Sequence, residues 1–72
     1  MHFLYQIITS AYIYTLYEED GYIFLHVLNL RTEESTDVFG VPKIIDILSE
    51  DTEVSFEDLI EVDDITSILA SD

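Results

Sequence analysis

The feature that most constrains this chain is a pair of β-rich runs joined by Asp20-Gly21. The runs span about 3–17 and 22–31 and are rich in Ile, Tyr, Phe and Leu, residues that suit a pleated surface. Asp-Gly between such runs favours a type I′ turn, because both central residues of that turn need positive φ. The sequence therefore predicts an antiparallel hairpin. Ser10-Ala11 marks a point where a bend or bulge could divide the long first run.

Apolar residues occupy both alternating faces of the predicted strands. Strands of a sheet with one solvent-exposed face would instead alternate apolar and polar residues. One face can be covered by C-terminal helices, but a chain of 72 residues leaves little to cover the other. We therefore expect self-association through the sheet, as a homodimer. On the second strand, one predicted face contains Ile23, Leu25 and Val27, and the other contains Tyr22, Phe24, His26, Leu28 and Leu30. On the first strand, one predicted face contains Leu4, Ile8, Tyr12, Tyr14 and Leu16, and the other contains Phe3, Tyr5, Ile7, Ile13 and Tyr17.

The segment after the hairpin predicts a polar connection and then a short helix. Residues 31–37 are polar, and residues 38–40 fit either a short third strand or a turn. Pro42 suits the first position of a helix, where its missing N–H is not needed. Ile and Leu at helical spacing extend that helix over about 42–50.

A second helix is predicted near the end of the chain. Ser55 opens a capping-box-like start with Asp58 in its last position, so the helix should begin near residue 56. A break near Val62-Asp63 would divide it into two pieces, the second reaching Ala70, and residues 59–63 could alternatively be extended. We expect one domain over 1–72 of the α+β class, with an antiparallel β-hairpin or small sheet packed by short acidic C-terminal helices.

The charge balance excludes several classes of function. The chain has 16 Asp and Glu against two cations, Arg31 and Lys43, so its net charge is −14 with both His neutral. Such a chain is repelled by DNA, RNA and anionic membranes, so we expect no direct nucleic-acid or membrane binding. There is no Cys, which rules out thiolate metal sites and a Cys nucleophile. The N-terminal run lacks the marks of a secretory signal, so we expect a cytoplasmic location.

None of the motifs that carry catalysis or metal binding is present in the sequence. Glu18-Glu19-Asp20-Gly21 lacks the ligand spacing of an EF-hand, and 58–64 lacks its glycine. His26 lies in an apolar run and is interpreted as a packed or interface histidine. The tyrosines are interpreted as packing and interface residues. We expect no enzyme, no cofactor and no specific metal site, and only loose cation binding.

The acidic residues are strongly segregated along the chain. Residues 1–17 and 21–32 contain none, and 13 carboxylates lie between Glu33 and Asp72. Between residues 46 and 64, if fully helical, the chain would span about 28 Å and carry about one negative charge per 3 Å. A single DNA strand carries one per about 3.4 Å. The candidate partner-binding residues are Asp46, Glu50, Asp51, Glu53, Glu57, Asp58, Glu61, Asp63 and Asp64.

In size, charge and this acidic segment, the chain resembles the small acidic DNA-mimic proteins encoded by bacteriophages. That class includes inhibitors of restriction enzymes, of uracil-DNA glycosylase, of CRISPR effectors and of the histone-like nucleoid protein HU. The resemblance covers the composition of the whole chain and no diagnostic motif. It implies an inhibitor that occupies the DNA-binding surface of a basic host protein. An HU-type protein is the favoured partner, because a dimerising mimic could match a symmetric, dimeric DNA-binding protein.

A second hypothesis stays open at this stage. The chain could be a protein-interaction or anti-defence module that binds through its apolar sheet and does not imitate DNA. The two hypotheses predict complexes that respond differently to salt, since ion pairs weaken as salt rises whereas apolar contacts do not.

Overall fold

A computed structural model, described here over residues 1–70, has a four-stranded antiparallel sheet followed by two helices. The strands are in sequence order across the sheet, so each strand pairs with its neighbour in the chain. The predicted α+β class is confirmed, and the predicted hairpin is the centre of a larger sheet. The elements are β1 (His2–Ile8), β2 (Tyr12–Glu19), β3 (Tyr22–Asn29), β4 (Ser35–Phe39), α1 (Val41–Glu50) and α2 (Phe56–Ala70).

The predicted turn at Asp20-Gly21 is present. Asp20 has φ of 53° and Gly21 has φ of 83°, and Glu19 pairs with Tyr22 across the turn. Both turn residues thus adopt the positive φ that a type I′ turn requires, and this two-residue loop sets the register of β2 against β3.

The first β-rich run is two strands, as the bend at Ser10-Ala11 suggested, and its description as one strand over 3–17 is wrong. The Thr9 backbone N–H donates to the Tyr12 carbonyl at 2.9 Å. The Thr9 hydroxyl oxygen also accepts from the backbone N–H groups of Ala11 and Tyr12, at 3.2 and 2.9 Å. This local network closes a tight turn, so β1 folds back and pairs with β2.

The turn changes which β1 side chains face the helices. Ile7 pairs with Tyr14, and Ile8 pairs with Ile13. Since directly opposed residues share a face, Ile7 lies on the helix side and Ile8 on the opposite side. A register shift between Phe3 and Tyr5 likewise puts Tyr5 opposite Leu16 on the helix side. The predicted faces of β3 are confirmed from Tyr22 to Leu28, whereas Leu30 lies in the turn after the strand. The grouping of Ile8 with Tyr14, and of Tyr5 and Ile7 with Ile13, is wrong.

Strand β4 is longer than the short strand predicted over 38–40. It spans Ser35–Phe39 and therefore includes the end of the predicted connection over 31–37. Before it, the Asn29 side-chain oxygen accepts from the backbone N–H groups of Arg31 and Thr32, at 2.9 and 3.1 Å. That Asx-type turn directs the chain back along β3, where backbone pairing makes a strand from a polar segment.

Helix α1 begins at Val41, so Pro42 lies in its first turn. Helix α2 is continuous, so the predicted break near Val62-Asp63 and the extended alternative for 59–63 are wrong. Val62 and Thr66 are buried on one side of α2, and the Thr66 hydroxyl donates to the Val62 carbonyl at 2.9 Å. Burial of this face keeps the helix intact through its acidic middle, since tertiary packing stabilises helices more than local propensity does.

Both helices pack on one face of the sheet, α1 against β3 and β4, and α2 against β1. We call α1, α2 and the connection 51–55 the helix layer, and the opposite side of the sheet the open face. No helix of residues 1–70 covers the open face. The buried apolar cluster between sheet and helix layer is Ile7, Tyr14, Leu16, Leu25, Ile44, Leu48, Val54 and Val62.

Candidate acidic interaction surface

All nine predicted partner-binding carboxylates lie in the helix layer. The same segment, 41–70, contains a single cationic side chain, that of Lys43. The side of the molecule away from the sheet therefore carries a dense negative charge with almost no compensation. Such a surface attracts and orients basic partners over the range of a Debye length, about 8 Å at physiological salt.

The exposed carboxylates of α2 form a stripe. Glu57, Glu61 and Asp64 are exposed and follow one another at four and three residues, so they project from the same side of the helix. At a rise of 1.5 Å per residue the stripe is about 10 Å long. Asp63 is also exposed, beside this stripe. On α1, Asp46 and Glu50 are exposed and stand four residues apart.

The acidic segment 46–64 is not one charged rod. Helix α1 ends at Glu50 and α2 begins at Phe56, with the connection 51–55 between them. Asp51 is the C-cap of α1 and has extended backbone. The charge is thus presented on two packed helices, so the comparison with a single DNA strand over 28 Å does not hold along the whole segment. It holds over 57–64 of α2, where the stripe and Asp63 together place four exposed carboxylates along about 10 Å.

Asp51 and Glu53 hold the connection against the sheet and the first turn. The Tyr14 hydroxyl donates to one carboxylate oxygen of Asp51, while the other oxygen accepts from the Glu53 backbone N–H at 2.9 Å. The Glu53 carboxylate accepts from the Ser10 backbone N–H at 3.2 Å and from the Ser10 hydroxyl at 2.6 Å. These two carboxylates have a structural role that their charge alone did not reveal.

Asp58 makes a corresponding contact at the start of α2. The Ser55 hydroxyl oxygen accepts from the Asp58 backbone N–H at 3.1 Å, which confirms the predicted helix start. The Asp58 side chain does not complete a capping box, because it accepts from the Tyr5 hydroxyl on β1 at 2.6 Å. The contact joins α2 to the strand at the edge of the sheet.

Both tyrosine hydroxyls have altered acidity. The hydrogen bond to Asp58 raises the pKa of Tyr5 to about 12, and burial and the Asp58 charge act in the same direction. Burial is the largest cause of a raised pKa at Tyr14, followed by its hydrogen bond to Asp51. In each case the protonated phenol is the form that donates to a carboxylate, so the folded state retains the proton.

These contacts predict a loss of stability at alkaline pH. Above about pH 10, the pKa of a free tyrosine, the unfolded chain releases phenolic protons that the folded chain still holds. Deprotonation therefore favours unfolding, and stability should fall as pH rises from 10 towards the raised pKa values. In the double variant Tyr5→Phe, Tyr14→Phe, urea midpoints measured from pH 8 to 11.5 should fall less steeply.

The double variant should also be about 1–3 kcal/mol less stable than the parent at pH 7, because Asp51 and Asp58 each lose the tyrosine hydroxyl that donates to them. Tyr22→Phe is the matched control, since that ring is 70 % exposed at the turn, and it should retain the parent's alkaline profile. An equally steep alkaline loss in the double variant would show that the two anchoring contacts do not govern it.

Apolar side chains interrupt the exposed acidic surface. Phe56 is 77 % exposed and Ile60 is 43 % exposed, and their four-residue spacing places them on one side of α2. They lie beside the stripe that contains Glu57. Exposed apolar groups next to charges give a surface the means to select among basic partners, since charge alone is promiscuous.

His26 belongs to a pair that the sequence did not reveal. Its Nδ1 atom lies 2.8 Å from Asp37 Oδ1, with the two side chains 37 % and 45 % exposed. The two residues are directly opposite on β3 and β4, so only the register of β4 brings them together. A strand assigned to 35–39 would have indicated the pair. His26 lies on the open face, away from the helix layer.

Within residues 1–70, no group of three or more His, Asp and Glu side chains is placed to hold a metal ion. Neither described helix has the length and apolar character needed to cross a membrane. The sequence matches no protein-family model, no curated protein and no solved structure. The geometry and charge of the chain itself therefore carry the functional argument.

Proposed function

We propose that this protein is a DNA mimic whose helix layer occupies the DNA-binding surface of a basic bacterial protein and displaces DNA. The observation that carries the proposal is the concentration of negative charge in the helix layer, with nine carboxylates and one lysine in 41–70. A small basic nucleoid protein of the HU type is the favoured partner. The proposed place of action is the bacterial cytoplasm.

The mechanism is competition for the same cationic side chains. A DNA-binding protein holds phosphates with Lys and Arg, and DNA binding releases the counterions condensed on the duplex. Carboxylates on α1 and α2 would pair with those Lys and Arg groups instead. Because both ligands need the same side chains, the partner releases DNA as it binds the mimic. Opposite charge also accelerates the encounter.

The anchoring contacts support a rigid surface. Asp51, Glu53 and Asp58 hold the helix layer to the sheet through hydrogen bonds. The exposed carboxylates are thus displayed on elements that are already in place, so little ordering entropy is lost on binding. Phe56 and Ile60 would add apolar contacts at the edge of the charged area and narrow the choice of partner.

A second candidate function is favoured by the open face. Phe3 and Phe39 are largely exposed there, so a partner could bind through apolar contact with the sheet and leave the helix layer free. That complex would resist salt and would not compete with DNA.

Salt elution from the immobilised protein distinguishes the two functions. Purified HU-type protein and a bacterial lysate are applied at low salt and eluted with rising NaCl. If the protein is a DNA mimic, retained proteins should elute below about 0.5 M NaCl, as ion-pair complexes do, and the eluted proteins should bind DNA-cellulose. Retention that persists at 1 M NaCl, or elution of proteins with no affinity for DNA, would contradict the proposal.

A further inference from the structure

The open face is organised in three rows that cross all four strands. Pairing registers place Phe3, Tyr17, Phe24 and Phe39 side by side in the first row. The second row is polar and the third is mostly aliphatic. In strand order, the second row is Gln6, Thr15, His26 and Asp37, and the third is Ile8, Ile13, Leu28 and Ser35.

The first row is a continuous aromatic ladder. The ring centroids of Tyr17 and Phe24 lie 5.4 Å apart, and those of Phe24 and Phe39 lie 5.5 Å apart, both pairs stacked. Phe3 meets Tyr17 edge-on at 6.4 Å. Phe24 is only 6 % exposed because rings flank it on both sides. The rings support one another and present a preformed apolar surface.

Each side chain of the polar row has a hydrogen-bond partner in the neighbouring strand. The Gln6 side-chain amide donates to the Thr15 hydroxyl at 3.2 Å, and His26 pairs with Asp37 at 2.8 Å. Polar groups that already have partners cost less to remove from water than unpaired ones. The row can therefore lie inside an interface between two apolar rows.

The apolar area of the open face is large for so small a protein. Phe3, Ile8, Tyr22 and Phe39 are 61, 68, 70 and 56 % exposed. At about 200 Å² for each large side chain, they expose about 500 Å². Two such faces would bury about 1,000 Å², the lower limit for a specific protein interface. An interface at this lower limit is typical of weak, transient association.

Charge indicates what covers this face. Two strand carboxylates lie on this face, Asp37 in the polar row and Glu19 opposite Tyr22, whereas nine lie in the helix layer. A basic partner is drawn to the helix layer rather than here. Two helix layers repel each other, so the open face, with fewer carboxylates, is a side on which two copies can approach at less electrostatic cost.

We propose that a second copy of this chain covers the open face, forming a two-fold, back-to-back dimer. A concavity of about 480 Å³ lies at the aromatic end of the face, lined by rings, among them Tyr17, Tyr22 and Phe39, and by the carboxylates of Glu19, Asp20 and Asp37. A two-fold axis parallel to the strands, through the centre of the face, sets β1 of each copy against β4 of the other, so that Phe3 meets Phe39 and Gln6 meets Asp37. The interface is thus self-complementary, as a two-fold contact requires.

The dimer would have two separate partner-binding surfaces. Sheets pack about 10 Å apart, and a helix layer about 10 Å thick lies outside each sheet. The two acidic surfaces would then face opposite directions, about 30 Å apart. Each copy would bind its own basic partner, so this dimer would not match the two halves of one dimeric partner, contrary to the expectation from the sequence, and the complex should contain one partner-binding site per copy.

Sedimentation equilibrium with matched variants tests the dimer. The parent, an 8.3 kDa chain, should dimerise with a micromolar Kd that tightens between 0.05 and 0.5 M NaCl, because salt screens the repulsion between copies. Phe39→Glu should weaken dimerisation at least tenfold, since it places an unpaired charge in the interface. Phe56→Glu makes the same change in the helix layer, where Phe56 is 77 % exposed, and should leave the dimer intact.

Circular dichroism reports whether each variant folds. Should Phe39→Glu unfold, Ile8→Glu replaces it, because Ile8 lies at the other end of the open face and is 68 % exposed. A parent protein that stays monomeric at 0.5 mM in 0.5 M NaCl would contradict the proposed dimer. Weakening of dimerisation by Phe56→Glu as large as that by Phe39→Glu would also contradict it. Dimerisation should strengthen as salt rises, whereas partner binding should weaken, so the two associations can be distinguished. The folded Phe39→Glu variant should retain partner binding whether or not the dimer exists.

Discussion

Replacing Glu50, Glu57, Glu61 and Asp64 together by Gln or Asn should weaken the complex with a basic DNA-binding partner by about 30- to 1,000-fold. Each exposed ion pair contributes about 0.5–1 kcal/mol, so four pairs contribute about 2–4 kcal/mol, and each 1.4 kcal/mol is a tenfold change in Kd. Single substitutions should have small effects for the same reason. Glu53 is left unchanged because its carboxylate accepts from Ser10.

The control variant removes four carboxylates outside the helix layer. Glu19, Asp20, Glu33 and Glu34 are exposed in turns or at a strand end, and replacing them by Gln or Asn changes the net charge equally. Isothermal titration at fixed salt should show a much smaller loss for the control. Both variants should be as stable as the parent or more so, since self-repulsion falls. Equal losses of affinity in the two variants would mean that partner binding depends on the total net charge and not on the carboxylates of the helix layer.

Truncating Leu48 to Ala should be the most damaging single change to the fold. Leu48 is 0 % exposed, on the inner side of α1, and a buried Leu→Ala change costs about 2–5 kcal/mol through lost burial and the cavity that remains. A domain of this size has about 4–11 kcal/mol of total stability. The variant should therefore unfold at much lower urea concentration, and partner binding should fall with the folded fraction.

Leu30→Ala is the matched control for that change, because Leu30 is 42 % exposed in the turn after β3. Urea titrations followed by circular dichroism should place its midpoint close to that of the parent. If Leu48→Ala unfolds at the parent's midpoint, α1 does not form the core against β3 and β4.

Local turn chemistry made part of the fold predictable. Asp20-Gly21 fixed the β2–β3 turn because few residue pairs adopt positive φ at both positions. Ser55 indicated the start of α2 because its hydroxyl oxygen can accept from the Asp58 backbone N–H. In both cases the determining contacts lie within a few residues of one another, so the sequence alone contains the information.

The misassigned elements depend on contacts between distant segments. The turn through Thr9 shifts the alternation of β1, so Ile7 and Ile8 exchange faces relative to a single long strand. β4 is a strand because β3 supplies its hydrogen bonds, although its residues are polar. Helix α2 continues through Val62-Asp63 because its inner side is buried, which outweighs the tendency of Asp63 to cap a new helix.

The sequence predicted which carboxylates belong to the candidate site but not how they are arranged. Charge alone placed all nine carboxylates in one segment, and that segment forms one layer. It could not show that Asp58 is held by Tyr5, 53 residues away, or that Asp51 is held by Tyr14, 37 residues away. Such contacts depend on how β1 and β2 pass beneath the helices.

A DNA mobility-shift titration tests the proposed mimicry most directly. A fixed amount of HU-type protein, or of a partner recovered by salt elution, is bound to a labelled duplex, and this protein is added in increasing amounts. The account predicts release of free duplex as the partner is saturated, with the four-carboxylate variant requiring at least about 30-fold more protein. A slower-migrating complex that contains partner, duplex and this protein together would contradict it.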